Sequence, residues 1–298
     1  MQPNATIYKR KAPLAIFLVP AFLFMALFLY YPFVMNLVNS VCKISGLGTA
    51  AEGINDPWYK NFAVMLTDDK LHTSFGNTLL MMLVTVVFEV GVALLLALLV
   101  DNIHHGVEFF RTVYFFPIVI SATALGLLFN LIFLYNGGML NQLLLDMGWI
   151  KEAVDWKDEN HYLFTMLLPV VWQYVGFYFV ILATGLNNIN PDLYEAASID
   201  GATVFQRIWR ITLPLLHNTL CVCLTLAITG ALQVFVLPWI MMGQGMPMDK
   251  SWLLGTYMYN TTFNAGDVDY GSAIAVIIVV VGVAVSQPAN PISKQKDY

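Results

Sequence analysis

NPDLYEAASIDGATVFQRIWRITLPLL, residues 190–216, is a polar, charged stretch caught between two long apolar runs. It opens as a short helix: Asn190 can cap, Pro191 suits the first helical position, and Asp192 complements the dipole. Gly201 then breaks the helix, because glycine enters the left-handed conformation without strain. A second short helix follows, with Phe205, Ile208, Trp209 and Thr212 at i, i+3, i+4 and i+7 and Arg207 and Arg210 off that face. Pro214 is tolerated at the start of the next helix but not in its middle. The stretch reads as a helix–Gly–helix elbow on a membrane surface. Spacing alone fits an ordinary interhelical loop equally well.

Working outward, Glu195-Ala196-Ala197, Asp200-Gly201-Ala202 and Ile211-x-Leu213-Pro214 resemble the EAA loop of permease subunits in bacterial binding-protein-dependent ABC importers. The Asp-Gly-Ala form resembles the carbohydrate-uptake subfamily, of the maltose, oligosaccharide and glycerol-3-phosphate type. The resemblance is sharp in the loop, and the spacing of apolar runs extends it over about residues 70–286. It implies an all-α type I importer permease fold in the bacterial cytoplasmic membrane. It also implies four partners: a dimeric ATPase, a second homologous permease, an extracytoplasmic solute-binding protein and membrane lipid. In that setting Glu195, Ala196, Ala197, Asp200, Gly201, Ala202, Phe205, Ile208 and Pro214 form the ATPase-coupling element. Glu195, Ala196 and Ala197 give a closely packing surface, Gly201 the hinge, and Phe205, Ile208 and Trp209 the apolar docking face.

Composition supports a membrane protein independently. With 58% hydrophobic and only 11% charged residues, the chain departs from soluble domains, in which about 25% are charged. A net charge of −5 with no basic run longer than Lys9-Arg10-Lys11 excludes a nucleic-acid partner. Cys42 stands alone, and Cys221 and Cys223, two apart, point to different sides of a helix, so no metal site is expected.

Six apolar runs are read as bilayer spans, each of which takes about 20 residues of helix. They cover about 14–34, 75–100, 112–135, 162–186, 217–242 and 270–286. Pro20 and Pro32 are expected to kink or end the first, and Pro117 and Gly126 to interrupt the third. The fifth carries Gln233 and Phe235, with Pro238 near its end. The sixth is short, and its tail departs from the family's longer, basic ending. Residues 1–69 form an N-terminal segment with the first span, 70–286 the permease core with the coupling loop at 187–216, and 287–298 a tail. With the N-terminus in the cytoplasm, eight Lys and Arg lie inside against six outside, every Arg among the eight. The elbow then faces the cytoplasm.

Glu89 sits within the second span, where a carboxylate is costly and is expected to face the bundle interior. It carries a proton-relay reading and, better supported, that of a structural acid or one beside a water-filled path. His104 and His105, being adjacent, diverge and read as solvated. Asn130, Trp172, Gln173, Tyr174, Tyr178 and Gln233 are candidates for a substrate path, since aromatic rings with polar tips and amides suit sugar rings. Helix packing explains any one of them as readily.

No phosphate-binding GxxxxGK[ST] occurs, so ATP binding of that kind is not expected of this chain; the resemblance implies that ATP and Mg act through the partner ATPase, and neither a cofactor nor an enzymatic activity is expected of the chain itself. The expected function is a permease that translocates a sugar or oligosaccharide by alternating access. The alternative is an ion-gradient-driven carrier or channel, which predicts inverted repeats and several charges at membrane depth.

Overall fold

A computed structural model describes residues 11–101 and 106–286, with side chains from residue 16. The basic cluster at 9–11, His104, His105 and the tail from 287 lie outside the residues so described. Helices α1 (Ile16–Asn39), α3 (Asp69–Asp101), α7 (Tyr162–Asn187) and α13 (Val268–Ser286) are each long and apolar enough to cross a membrane. Two bent pairs raise the count to six: α4 (Val107–Val119) with α5 (Ala122–Ile132), and α9 (Val204–Leu215) with α10 (His217–Gln233). Short elements complete the chain: β1 (Cys42–Lys43), β2 (Gly53–Ile54), α2 (Lys60–Met65), α6 (Met139–Asp146), α8 (Asp192–Ile199), α11 (Val236–Met242) and α12 (Leu254–Tyr259).

The described chain forms two compact units, one up to Thr67 with Thr261–Ile277, the other Asp68–Asn260 with the residues from Ile278. In the first unit, β1 and β2 pair antiparallel, Cys42 against Ile54. The α1 helix runs on to Asn39 without ending at either proline, beyond the boundary expected from the apolar run. A wide π-helical turn at Ala26–Tyr30 lies directly ahead of Pro32 and accommodates its missing N–H and its ring. Asn61 Nδ2 donates to Ser40 O at 3.1 Å and to Asp269 Oδ2 at 3.4 Å.

Close by, burial and then the hydrogen bond and charge of Asp269 push the Asp267 carboxyl up to about 6 from its ordinary 3.8. Because the folded value exceeds the unfolded one, the folded state holds the extra proton, and this contribution to stability is lost as pH rises from about 4 through 6. Thermal unfolding in detergent should therefore show Asp267→Asn flattening the decline in Tm over that window; an unaltered pH profile would remove this assignment.

The second unit is a helix bundle. The α3 helix starts six residues before its apolar run, because Asp68 Oδ1 accepts from the N–H groups of Lys70 and Leu71 at 3.0 and 3.2 Å and satisfies orphan donors of the first turn. Asn77 Nδ2 donates to Lys250 O at 2.6 Å and Trp252 O at 2.9 Å, and Leu254 N donates to Thr78 Oγ1 at 3.0 Å. These bonds hold the segment before α12 on α3.

The α4–α5 pair bends by 93°, three residues beyond Pro117 rather than at Gly126. Ser121 restarts the helix by accepting from Ala124 N at 3.2 Å. Gly126 has a packing role instead: a Cβ there would lie 2.7 Å from Ile240 Cγ2. The expected fifth span is likewise divided, α10 ending at Gln233 and α11 beginning at Val236.

Met81, Phe129, Met166 and Val170 centre one buried cluster, and Ala93, Phe179, Leu182 and Leu216 another. Cys221 and Cys223 are both buried, since α10 has neighbours on more than one side.

Candidate functional site: the elbow and the bundle cavity

The elbow is two short helices joined by a glycine corner. Asn190 Oδ1 accepts from Asp192 N at 3.0 Å, opening α8 as a side-chain cap does. Gly201 takes φ +75°, and the N–H of Ala202 then donates to Ala197 O at 2.9 Å, closing the helix end. Thr203 and Gln206 form a capping box: Thr203 N donates to Gln206 Oε1 at 2.8 Å, and Gln206 N to Thr203 Oγ1 at 3.3 Å. Two further bonds tie α8 to α9 across the corner. Arg207 Nη1 donates to Ser198 Oγ at 3.2 Å, and the Tyr194 and Thr212 hydroxyls share a bond of 3.1 Å.

The apolar side chains of α9 do not share one face as their spacing suggested. A π-helical turn at Ile208–Thr212 changes the residue angle, so Thr212 turns inward and is buried while Phe205 and Trp209 stay exposed at 69% and 58%. Ile208 is half-buried and lines a cleft of about 200 Å³ with Asp101, Tyr194 and Arg207. Glu195, Ala196, Asp200, Gly201 and Pro214 are exposed, and Ala197 and Ala202 are half-buried. Beyond the elbow, the chain bends by 69° into α10. Leu216, at that bend, packs on Gly185 of α7, where a Cβ would lie 2.7 Å from Leu216 Cδ1.

The six path candidates separate. Tyr174, Tyr178 and Gln233 line one cavity of about 310 Å³, together with Thr85, Glu89, Gly230 and the backbone break at Val234. Tyr174 and Tyr178 lie four residues apart and therefore on one face of α7. Non-helical backbone at membrane depth is tolerated where it borders a cavity, which fits the position of Val234. Gln173 faces the other way, buried, its Nε2 donating to Ile120 O at 3.3 Å. Asn130 is occupied by Ile240 O at 3.1 Å and Lys157 Nζ at 2.7 Å. Trp172 stands edge-on to Phe129 with ring centroids 5.7 Å apart. Sequence reasoning missed Thr85 as a lining residue; its position four before Glu89 on the same helix was the available signal.

Comparison with known proteins places this geometry. Residues 106–290 match the family described as the inner membrane component of binding-protein-dependent transport systems. The chain is 32% identical over 274 residues, covering 91% of this chain and 92% of the other, to a probable ABC transporter permease protein, YurN of Bacillus subtilis (strain 168). It is 31% identical, covering 94% of this chain and 90% of the other, to the sulfoquinovosyl glycerol transport system permease protein SmoG of Agrobacterium fabrum. Its fold matches a chain in the crystal structure of a bacterial ABC transporter that imports the acidic polysaccharide alginate. The TM-score is 0.84 at 23% identity, over 97% of this chain and 98% of that one. An elbow between membrane helices, matched across most of the chain by such relatives, makes this protein an integral membrane permease of the binding-protein-dependent transport family, a subunit with no cofactor of its own and not an enzyme.

Proposed function

We propose that this permease translocates a sugar or oligosaccharide delivered by an extracytoplasmic binding protein. Residues 70–286 serve as its translocating core, and a separate ATPase dimer acts through the elbow. The observation that carries the coupling role is the elbow itself. It is cross-braced, polar at its corner, and presents Phe205, Trp209 and Ile199 outward, the last 87% exposed. Large apolar side chains clustered on a surface mark a contact with another protein or a membrane. A second, homologous permease completes the path, with the N-termini on the cytoplasmic side of the inner membrane. Loaded from outside and emptied inward, the cavity beside Tyr174 and Tyr178 belongs to that path. ATP and Mg are bound by the partner. Carbohydrate as the substrate class is supported by SmoG, named for a sulfoquinovosyl glycerol system, and by the hydroxyls and rings that line the cavity.

Purification from native membrane in mild detergent tests the assignment: an ATPase and a second multi-span chain should co-purify in stoichiometric amounts. A chain that purifies alone and carries solute without ATP would overturn it. Within the cavity, Gly230→Leu should cut uptake at least about tenfold, because the added side chain grows into space now open. An ideal Cβ at Gly230 meets only Tyr178 Oη, at 4.0 Å, and filling a preformed site removes its ligand contacts. Trp172→Ala should leave the order of preferred sugars unchanged. A selectivity change in that variant would return Trp172 to the path.

A further inference from the structure

The elbow faces the rest of its bundle across a cleft of about 200 Å³, lined by Leu98 and Asp101 at the end of α3 and by Tyr194, Arg207, Ile208 and Thr212 of the elbow. The Tyr194 and Thr212 hydroxyls are bonded to one another. Asp101 and Arg207 present opposite charges to the same small space, yet among the described residues neither takes part in an ion pair. Arg207 is also under-satisfied. One N–H donates to Ser198 Oγ at 3.2 Å, while Nε is buried without a hydrogen-bond partner among the described residues.

A guanidinium carries a fork of N–H donors that matches a carboxylate, and opposite charges attract more strongly as they approach and water leaves. Held at Ser198, the Arg207 head group comes to Asp101 by approach of the elbow to α3. Among the described residues, every side-chain hydrogen bond of residues 190–212 runs to another residue of that stretch, so the cleft can narrow without breaking one. Asp101 also borders a second cleft of about 200 Å³, with Arg111 of α4 and Asn187 of α7. Arg111 belongs to the bundle and Arg207 to the elbow, so the pairing with Arg207 is the one that follows the elbow's position.

We propose that Asp101 is a positioning residue for the elbow: during transport the cleft narrows, the Asp101 carboxylate accepts from the Arg207 guanidinium, and the pair holds the elbow against α3 for part of the cycle. Switching elements settle into alternative discrete contacts rather than deforming continuously. This rests on reading the elbow as the ATPase-coupling element.

The test uses the assembled transporter in proteoliposomes and measures solute taken up per ATP hydrolysed, a ratio that a smaller amount of folded protein does not change. Asp101→Asn should lower it about fivefold, the factor corresponding to about 1 kcal/mol and the upper range for an ion pair that solvent reaches. Asp101→Glu should stay within about twofold of the parent, because it keeps the charge. Arg207→Gln should lower the ratio at least as far as Asp101→Asn, since it also weakens the bond to Ser198. Adding Asp101→Asn to Arg207→Gln should then cost little more, as expected of two residues that act through one contact. Effects that multiply in the double variant, or normal coupling in Asp101→Asn, would overturn the pair. So would an Asp101→Asn effect that disappears in the presence of Arg111→Gln instead, which would assign the acid to the second cleft. Should Arg207→Gln fail to assemble, Arg207→Lys replaces it: with a charge still at the cleft it should remain sensitive to Asp101→Asn, and insensitivity would overturn the pair. Uptake without ATP by the parent would overturn the coupling reading itself.

Discussion

Gly201→Pro should reduce ATP-driven uptake at least about twentyfold while the chain still accumulates in the membrane. Proline fixes φ near −65°, and Gly201 sits at +75°, so the corner cannot be kept. The substitution also removes the N–H that donates to Ser198 O at 3.1 Å. It further disfavours the helical conformation of Asp200, now the residue before proline, found at φ −73° and ψ 0°. The turn must open, which carries Ala202 away from Ala197 and separates the two short helices. The membrane helices are not touched, so insertion should survive. Gly201→Ala should be milder, since a left-handed non-glycine residue costs about 1–2 kcal/mol and keeps its N–H. Uptake and ATPase activity measured together in proteoliposomes check this. Unimpaired, ATP-coupled uptake by the proline variant would show that the elbow's shape does not matter for transport.

The largest effect on stability is expected at Gly176. An added Cβ there would lie 1.7 Å from the carbonyl oxygen of Tyr114 and 2.3 Å from its carbonyl carbon. Both obstacles are backbone, so no rotamer change relieves them, and α4 and α7 would have to separate. In lipid, where apolar side chains gain little by leaving one apolar medium for another, helix association depends on such close packing. The separation would also pull apart the Tyr114 and Phe179 rings, now edge to face at 5.2 Å. Overpacking a core typically costs about 1–3 kcal/mol; a backbone clash with no flexible atom belongs at or above the top of that range. Gly176→Leu should thus fall at least about tenfold in membrane content and lose its cooperative melt in detergent. Gly230→Leu is the matched control, since an ideal Cβ there meets nothing nearer than 4.0 Å, and should melt close to the parent. A Gly176→Leu protein indistinguishable from the parent would refute the close approach of these helices.

Much of the architecture was legible in the sequence, because membrane spans announce themselves by length and hydropathy, and the elbow by a glycine between two capped helices. The breaks were not. Val234 and Phe235 are ordinary apolar residues, and nothing in their chemistry marks the point where α10 stops. Pro117 drew attention to the wrong place in the third span, because its helix is interrupted only at Ile120 and Ser121. The exposed face of α9 was misjudged at Thr212 because regular periodicity does not foresee a π-helical turn. Residue type also suggested the path without giving direction. Tyr174 and Tyr178 share a face with the cavity, while their neighbours Trp172 and Gln173, equally suited by chemistry, point elsewhere.

The braces across the elbow have a mechanical consequence. On the proposed coupling role, the bonds from Arg207 to Ser198 and between Tyr194 and Thr212 would make the two short helices move together, and their push would reach α7 where Leu216 bears on Gly185. From that bearing, α7 is a rod. Tyr178 stands seven residues along it, about 10 Å at the usual helical rise. Each degree of tilt about Gly185 then carries the Tyr178 ring roughly 0.2 Å, by simple lever geometry on that rise. A tilt of several degrees in α7 itself would thus shift the ring that borders the cavity by about 1 Å.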